Sequence, residues 1–259
     1  MDVDTWLAAV PSRRSRRAFD GRALSSEDLD AIATLCSRFA PYADARVLLL
    51  PEAPPAVFTG LVGSYGKVTG APSAIVFIAD ASSPNADEHL GYTGEGIVLA
   101  ATARGLQTCW VGGSFSRSTV TRIVTLRESQ AVRAVSPLGH ALVEPPRAER
   151  VFFGTDKPKA RRALDQIAPG HEDWPAWAQA GVRAAQVAPS AMNRQPWRFR
   201  LEEGAVVVST SGIMTPVVSQ RLDCGIAMLH FELGVRGEGH DGAWQPLTGR
   251  DIGRWVTSA

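Results

Sequence analysis

Ala188-Pro-Ser-Ala-Met-Asn-Arg-Gln-Pro-Trp197 joins a helical run, Trp174 to Val187, to a strand that opens at Trp197. Pro189 and Pro196 each lack an N–H and push the preceding residue toward extended geometry, so the interval reads as a non-helical connector. Ser190 and Asn193 lie three apart on it. A small hydroxyl and a carboxamide in that position are available to a ligand rather than to a strand ladder.

Far upstream, Arg13-Arg14-Ser15-Arg16-Arg17-Ala18-Phe19 sets four guanidinium groups within five residues. A solvated basic face or a nucleic-acid tail is the plain reading of such a run. A tail, however, would be flanked by polar, apolar-poor sequence. This run lies between an apolar segment (Trp6, Leu7, Val10) and a signalled helix. Ser25 and Asp28 make a capping-box-like start, and Leu29, Ile32, Ala33 and Leu35 supply an apolar stripe. Planar, bidentate guanidinium donors beside a serine suit a phosphate monoester.

A third segment, GYTGEGIVLAATARGLQTCWVGG, runs from Gly91 to Gly113. Ile97 to Ala103 is apolar or small on every side, the pattern of a helix buried all round. It falls far short of the roughly 20 residues that cross a bilayer, so a central core helix is expected. Gly105 should end it in left-handed geometry, with Leu106 to Val111 following as a strand.

Together these segments resemble the FMN-dependent nitroreductase family. The resemblance implies an α+β, nitroreductase-like fold with a central mixed sheet covered by helices. It implies that Arg13, Arg14, Ser15 and Arg17 hold the FMN phosphate, ribityl chain and pyrimidine edge. Thr108, Cys109, Trp110 and Gly112 match the strand and loop that pass the flavin, and Pro189, Ser190 and Asn193 match the loop that contacts it. Lys67, ahead of the strand that Ser73 opens, matches a basic residue near the pyrimidine, although a solvated loop lysine is an equal alternative. Arg150, with Arg147 in reserve, would reach back to the phosphate; a loose surface pair is again an equal alternative. No side chain is expected to be catalytic, because the flavin carries the redox chemistry.

The chain also repeats itself faintly. Gly96 to Leu106 aligns with Gly225 to Val235, and Leu29 to Leu50 parallels Trp177 to Leu201, each a helix, an Ala-Pro step and a strand. The arginine-serine run opens the first half only, while the Ser190/Asn193 loop survives in the second; Lys157 to Arg162 is a weak echo of the run. Nitroreductases of the resembling kind place these motifs on different subunits of a dimer. An internal pseudo-dimer of two related halves, residues 1–155 and 156–259 intimately packed, is therefore expected. It would hold one complete flavin site, with the symmetry-related site empty or filled by side chains.

Composition fits this reading. The 259 residues are 45% hydrophobic and 20% charged, with a formal net charge of +1. No global field recruits nucleic acid or a membrane. Cys36, Cys109 and Cys224 are odd in number and far apart, as buried free thiols of a reducing compartment would be. With no signal-like segment at the start, a cytoplasmic address is expected. The five histidines show no metal-ligand spacing. Strands are expected at Val47 to Leu50, Ser73 to Ala79, Cys109 to Gly112, Val132 to His140, Gln195 to Leu201 and Ala205 to Ser209. The function implied is an oxidoreductase in which NAD(P)H reduces FMN and a small-molecule acceptor (a nitroaromatic, a quinone or another conjugated electrophile) then takes its place. The protein would act as a monomer or a weak homo-oligomer. The alternatives on the same scaffold are a flavin-dependent dehalogenase or dehydrogenase, or an FMN binder that passes no electrons.

Overall fold

The computed structural model describes residues 1–59, 67–144, 160–212 and 219–258. After a short first helix, α1 (Val3–Ala9), the Ser25 hydroxyl accepts a hydrogen bond from the Asp28 amide at 3.1 Å and starts α2 (Ser26–Arg38). Ile32 is buried, and Leu29 and Leu35 pack against the core. Ala33, expected on the same stripe, faces solvent.

The expected central mixed sheet is divided into two four-stranded antiparallel sheets. The first runs β1 (Ala45–Leu50), β2 (Ser73–Asp80), β4 (Gln130–Gly139), β3 (Gln107–Thr108) in spatial order. The second runs β5 (Trp197–Glu202), β6 (Ala205–Thr210), β8 (Asp251–Thr257), β7 (Gly242–Pro246). The two orders are the same, and each sheet carries a register irregularity on its second strand, at Phe77/Ile78 and at Val208/Ser209. Parallel pairing enters at isolated bridges, Ser15 with Thr108 and Ala18 with Thr69.

Two differences from the expected strands have local causes. Cys109 to Gly112 is not a strand: the Cys109 amide donates to the Ser136 hydroxyl at 3.0 Å instead of to a ladder carbonyl, and pairing resumes only as a bridge between Val111 and Val135. The pair β7 and β8 was not anticipated. β7 is a largely exposed edge strand ending at Pro246, and β8 interleaves its buried Ile252 and Trp255 with Gly253 and charged residues.

Between these strands run α4 (Arg117–Ile123), α5 (Leu164–Ile167) and α6 (Ala176–Gln186), but the core is built on two longer helices. These are α3 (Ala86–Ala103) and α7 (Gln220–Gly237), each 18 residues long. The helix expected from Ile97 begins eleven residues earlier, at Ala86, and takes in three glycines that would each cost about 1 kcal/mol on propensity alone. Packing requires them. A Cβ on Gly91 would come 2.1 Å from the Leu222 carbonyl oxygen, and one on Gly225 would come 1.9 Å from that of Glu88. The backbones of α3 and α7 thus touch at a crossing that only glycine allows. Gly105 ends α3 with φ +76°, as expected, and Gly239 does the same after α7 with φ +81°.

These contacts correct the alignment of the repeat. Gly91 is the counterpart of Gly225 and Gly105 that of Gly239. Gly96 instead lies against Trp6 and Phe39, and Gly234 is inside α7 against the Ala180 backbone. The expected boundary between residues 155 and 156 lies outside the described residues.

Candidate functional site

The arginine run is held as an extended segment. The Arg16 amide donates to the Thr108 carbonyl at 2.9 Å, the Thr69 amide donates to the Arg17 carbonyl at 2.9 Å, and the Phe19 amide donates to Thr69 at 2.9 Å. Arg13 is 7% exposed, with its Nη1 3.5 Å from the Ser15 hydroxyl oxygen. Burial pulls the Arg13 guanidinium below its ordinary range, and the Glu95 carboxylate opposes that shift. Arg14 is exposed and folds back onto the carbonyls of Pro11 and Arg13 at 2.7 and 2.8 Å. Lys67 is exposed, two residues before Thr69. Arg150 and Arg147 lie outside the described residues.

Beside this segment, Thr108 and Cys109 are buried and Trp110 is half-buried. Trp110 stacks on Phe77 with centroids 4.0 Å apart, and its Nε1 donates to Glu95 at 2.7 Å. The Gly112 carbonyl accepts from Arg117 at 3.4 Å. The other Glu95 oxygen lies 3.0 Å from His230 Nε2, with both side chains fully buried. A carboxylate on α3 therefore ties the Trp110 loop to α7.

The Ala188–Trp197 connector is more engaged than its sequence implied. The Ser190 hydroxyl accepts from the Gln195 amide at 2.9 Å. Asn193 donates through Nδ2 to the Ala160 carbonyl at 2.8 Å, and its Oδ1 accepts from Arg161 at 3.3 Å. Both side chains thus fasten the loop. Nor do the prolines exclude every helical turn: Ala191–Asn193 forms a 3-10 turn, broken at Met192. Pro189 is buried. Met192, Asn193 and Gln195 adopt φ of 52°, 58° and 51°. Three non-glycine residues in the left-handed region cost on the order of 1–2 kcal/mol each, and such strain persists only where surrounding contacts over-determine it.

Those contacts are visible. Buried Asp223, in the first turn of α7, accepts from the Ala191 amide at 3.0 Å and from Arg194 at 3.5 Å. Burial pushes its carboxyl up to about 6, against the opposing pull of the Ala191 amide and Arg194. The Gln195 carboxamide, also buried, accepts from the Arg162 amide at 2.7 Å and donates to the Asn193 carbonyl at 3.0 Å.

Arg161 is fastened to the late loop. Its Nη1 donates to the Ala188 carbonyl at 2.7 Å and to Asn193 Oδ1. Its guanidinium is held down to about 10, first by burial and then by the positive charges of Arg13 and Arg14, with Glu95 opposing. The early arginines and the late loop therefore share one electrostatic neighbourhood. Sequence reasoning missed Arg161, Gln195, Asp223, Glu95 and His230. For Glu95 and His230 a signal existed, since each interrupts an apolar helix that has no solvent face to receive it.

The loop that follows α2 in the first half carries a side-chain cluster of its own. Tyr42 stacks on His89 at 3.8 Å, and His89 Nδ1 contacts Asp44 at 2.8 Å. His89 is the fourth residue of α3, as Asp223 is of α7. One position on each core helix thus fastens its own half's loop.

A family model described as "Putative TM nitroreductase" matches residues 6–235. The chain belongs to this nitroreductase family. A solved Thermotoga maritima protein, described in the same terms, is 22% identical to it. That match has a TM-score of 0.64 over 97% of this chain and 93% of the other, so the fold is nitroreductase-like. A nitroreductase with bound FMN from Bacteroides fragilis is 19% identical over 54% of this chain and 92% of its own, at a TM-score of 0.42. Another with bound FMN, from Desulfitobacterium hafniense, is 24% identical over 55% and 92%, at 0.45. No curated protein matches the chain. Among the described residues of this nitroreductase family member, no helix is long and apolar enough to cross a membrane, and no group of three or more His, Cys, Asp or Glu could hold a metal ion.

Proposed function

We propose that the chain is an FMN-dependent oxidoreductase that takes electrons from NAD(P)H and passes them to nitroaromatic, quinone or related conjugated acceptors in alternating half-reactions. What supports this reading is Arg161, whose guanidinium is hydrogen-bonded to the Ala188–Trp197 loop and is held down in part by the positive charges of Arg13 and Arg14. The residues there fit the phosphate end of the cofactor. Arg13 is buried, and among the described residues no carboxylate lies within ion-pair distance of it. A buried charge without a partner costs several kcal/mol, and a phosphate suits the guanidinium fork.

Bound FMN would supply the two-electron redox chemistry, and the protein placement and charge. In this reading Arg13, Arg14, Ser15 and Arg17, with Arg150, hold the phosphate, ribityl chain and pyrimidine edge. Lys67 opposes negative charge on the reduced ring system. Thr108, Cys109, Trp110 and Gly112 form one wall, with Pro189, Ser190 and Asn193 closing from the second half. Residues 1–155 and 156–259 act as the halves of a pseudo-dimer with one site per chain, in a cytoplasmic protein that needs no partner chain.

The test is spectroscopic. The purified or FMN-reconstituted protein should carry the absorbance of bound oxidised flavin, bleach with NADPH or NADH, and recover on addition of a nitroarene. A yellow protein inert to both nucleotides would reduce the proposal to cofactor binding. A colourless protein that cannot be reconstituted would contradict it.

A further inference from the structure

Glu95 of α3 and His230 of α7 meet between the two core helices, both fully buried. The repeat supplies an internal comparison. The spacing that pairs Gly91 with Gly225 and Gly105 with Gly239 makes Leu229 the counterpart of Glu95, and Gly96 that of His230. Where the crossing repeats, a buried leucine and a bare backbone therefore suffice. The packing of α3 on α7 needs no carboxylate. The pair also carries a cost, because His230 Nδ1 is buried with no hydrogen-bond partner among the described residues. Apolar replacement of such a buried pair is often neutral or stabilising, so packing does not explain it. What sets this side of the repeat apart is Trp110. Its Nε1 donates to Glu95 at 2.7 Å, one face stacks on Phe77, and a Cβ on Gly94 would come 2.5 Å from its Cη2. The indole is pinned at three places and still only half-buried.

We propose that Glu95, held in turn by His230, is a positioning residue that fixes the Trp110 indole as a wall for a planar ring ligand. A ring bound against a fixed indole loses no affinity to ordering that indole. Glu95 touches the wall and not the ligand, and His230 sets which way its carboxylate points. The inference rests on the flavin reading for the identity of the ring, not for the role of the pair.

The experiment measures affinity for riboflavin, FMN and 1,4-naphthoquinone on the flavin-free protein, with denaturant stability alongside. It compares wild type with Glu95→Gln, with the double variant Glu95→Leu/His230→Leu, and with Tyr92→Phe. The last is the control: it breaks another polar tie between the same helices, Tyr92 to Glu232 at 2.8 Å, where the ring neighbours are Phe39 and Tyr42. The double variant should bind riboflavin and FMN about tenfold more weakly, both by the same factor. Glu95→Gln, which can still accept from Trp110, and Tyr92→Phe should stay near wild type. An equal loss in Tyr92→Phe would mean a general slackening of the crossing and overturn the proposal. A loss for FMN but not riboflavin would place the effect at the phosphate end and also overturn it. If the double variant keeps wild-type affinity for the rings that wild type binds, the positioning role is wrong while the flavin reading stands. A wild type that binds naphthoquinone but no flavin, with that binding lost in the double variant alone, would uphold the role and defeat the flavin reading. A wild type that binds none of the three overturns both. Should the double variant not fold, the wild type decides: its Trp110 indole N–H resonance, assigned by its absence from Trp110→Phe, must shift when the ring is added. An unmoved resonance at ring saturation overturns the proposal.

Discussion

Gly225 of α7 sits where a methyl group would come within 1.9 Å of the Glu88 carbonyl oxygen of α3. Both groups are backbone or bound to it, so no side-chain rotation can relieve the clash. Gly225→Ala should force the core helices apart and destabilise the chain by about 1–3 kcal/mol or more, the range for overpacked cores. Denaturant unfolding checks this, and Gly105→Ala offers a contrast. At Gly105 there is open space around the missing Cβ, so its cost should come from the positive φ alone.

Asp223 makes stability depend on pH in a defined direction. Its folded-state carboxyl is raised from 3.8 to about 6, so the folded chain holds that proton more tightly than the unfolded one. The ionised group therefore disfavours folding fully above about pH 6; the penalty shrinks as pH falls toward 3.8 and is absent below it. Asp223→Asn keeps an oxygen for the Ala191 amide and removes the buried charge. It should gain up to about 3 kcal/mol relative to wild type well above pH 6, and the gain should fade in acid. Denaturant melts across this range would show it; a difference that does not vary with pH counts against the assignment.

Among the described residues, Glu95 accepts from Trp110 Nε1 at 2.7 Å and lies 3.0 Å from His230 Nε2. Removing one partner of a buried charged network is more costly than replacing the whole of it. Glu95→Ala should cost about 3–5 kcal/mol, and Glu95→Gln, which can still accept from Trp110, clearly less. Unfolding curves for the pair give the comparison.

Asn193→Ala removes the hydrogen bonds to Ala160 and Arg161 but no core packing. The chain should stay folded, with a loss of about 1–2 kcal/mol. Hydrogen exchange should quicken at the Arg162 and Gln195 amides, which the neighbouring contacts protect. Unchanged exchange there would mean the loop does not depend on Asn193.

The parts of this structure legible in the sequence are those that local chemistry decides. Ser25 caps its helix, Gly105 ends one, and the β-branched runs at Ser73 and Ala205 are strands. The motifs at Arg13, Thr108 and Ser190 stand out because each gathers unusual residue types in a short space. Features that depend on distant partners were hidden. Gly91 reads as a helix weakness until Leu222 is brought against it. The Cys109 amide looks fit for a ladder until the Ser136 hydroxyl takes it. Arg161 reads as one more basic residue until the Ala188 carbonyl and Asn193 engage it, and the bonds that fasten Ser190 and Asn193 come from Gln195 and Ala160, which no local pattern pairs with them.

The central claim is that the arginine run and the Ala188–Trp197 loop close on one nucleotide. Calorimetric titration of the flavin-free protein with FMN tests it most directly, using wild type, Arg13→Ala and Asn193→Ala. The account predicts one FMN per chain, bound about 10- to 100-fold more weakly by Arg13→Ala, the loss of a charge-assisted bond worth roughly 1.5–3 kcal/mol. It also predicts weaker binding by the folded Asn193→Ala. Two FMN per chain, none at all, or an affinity that neither substitution changes would contradict it.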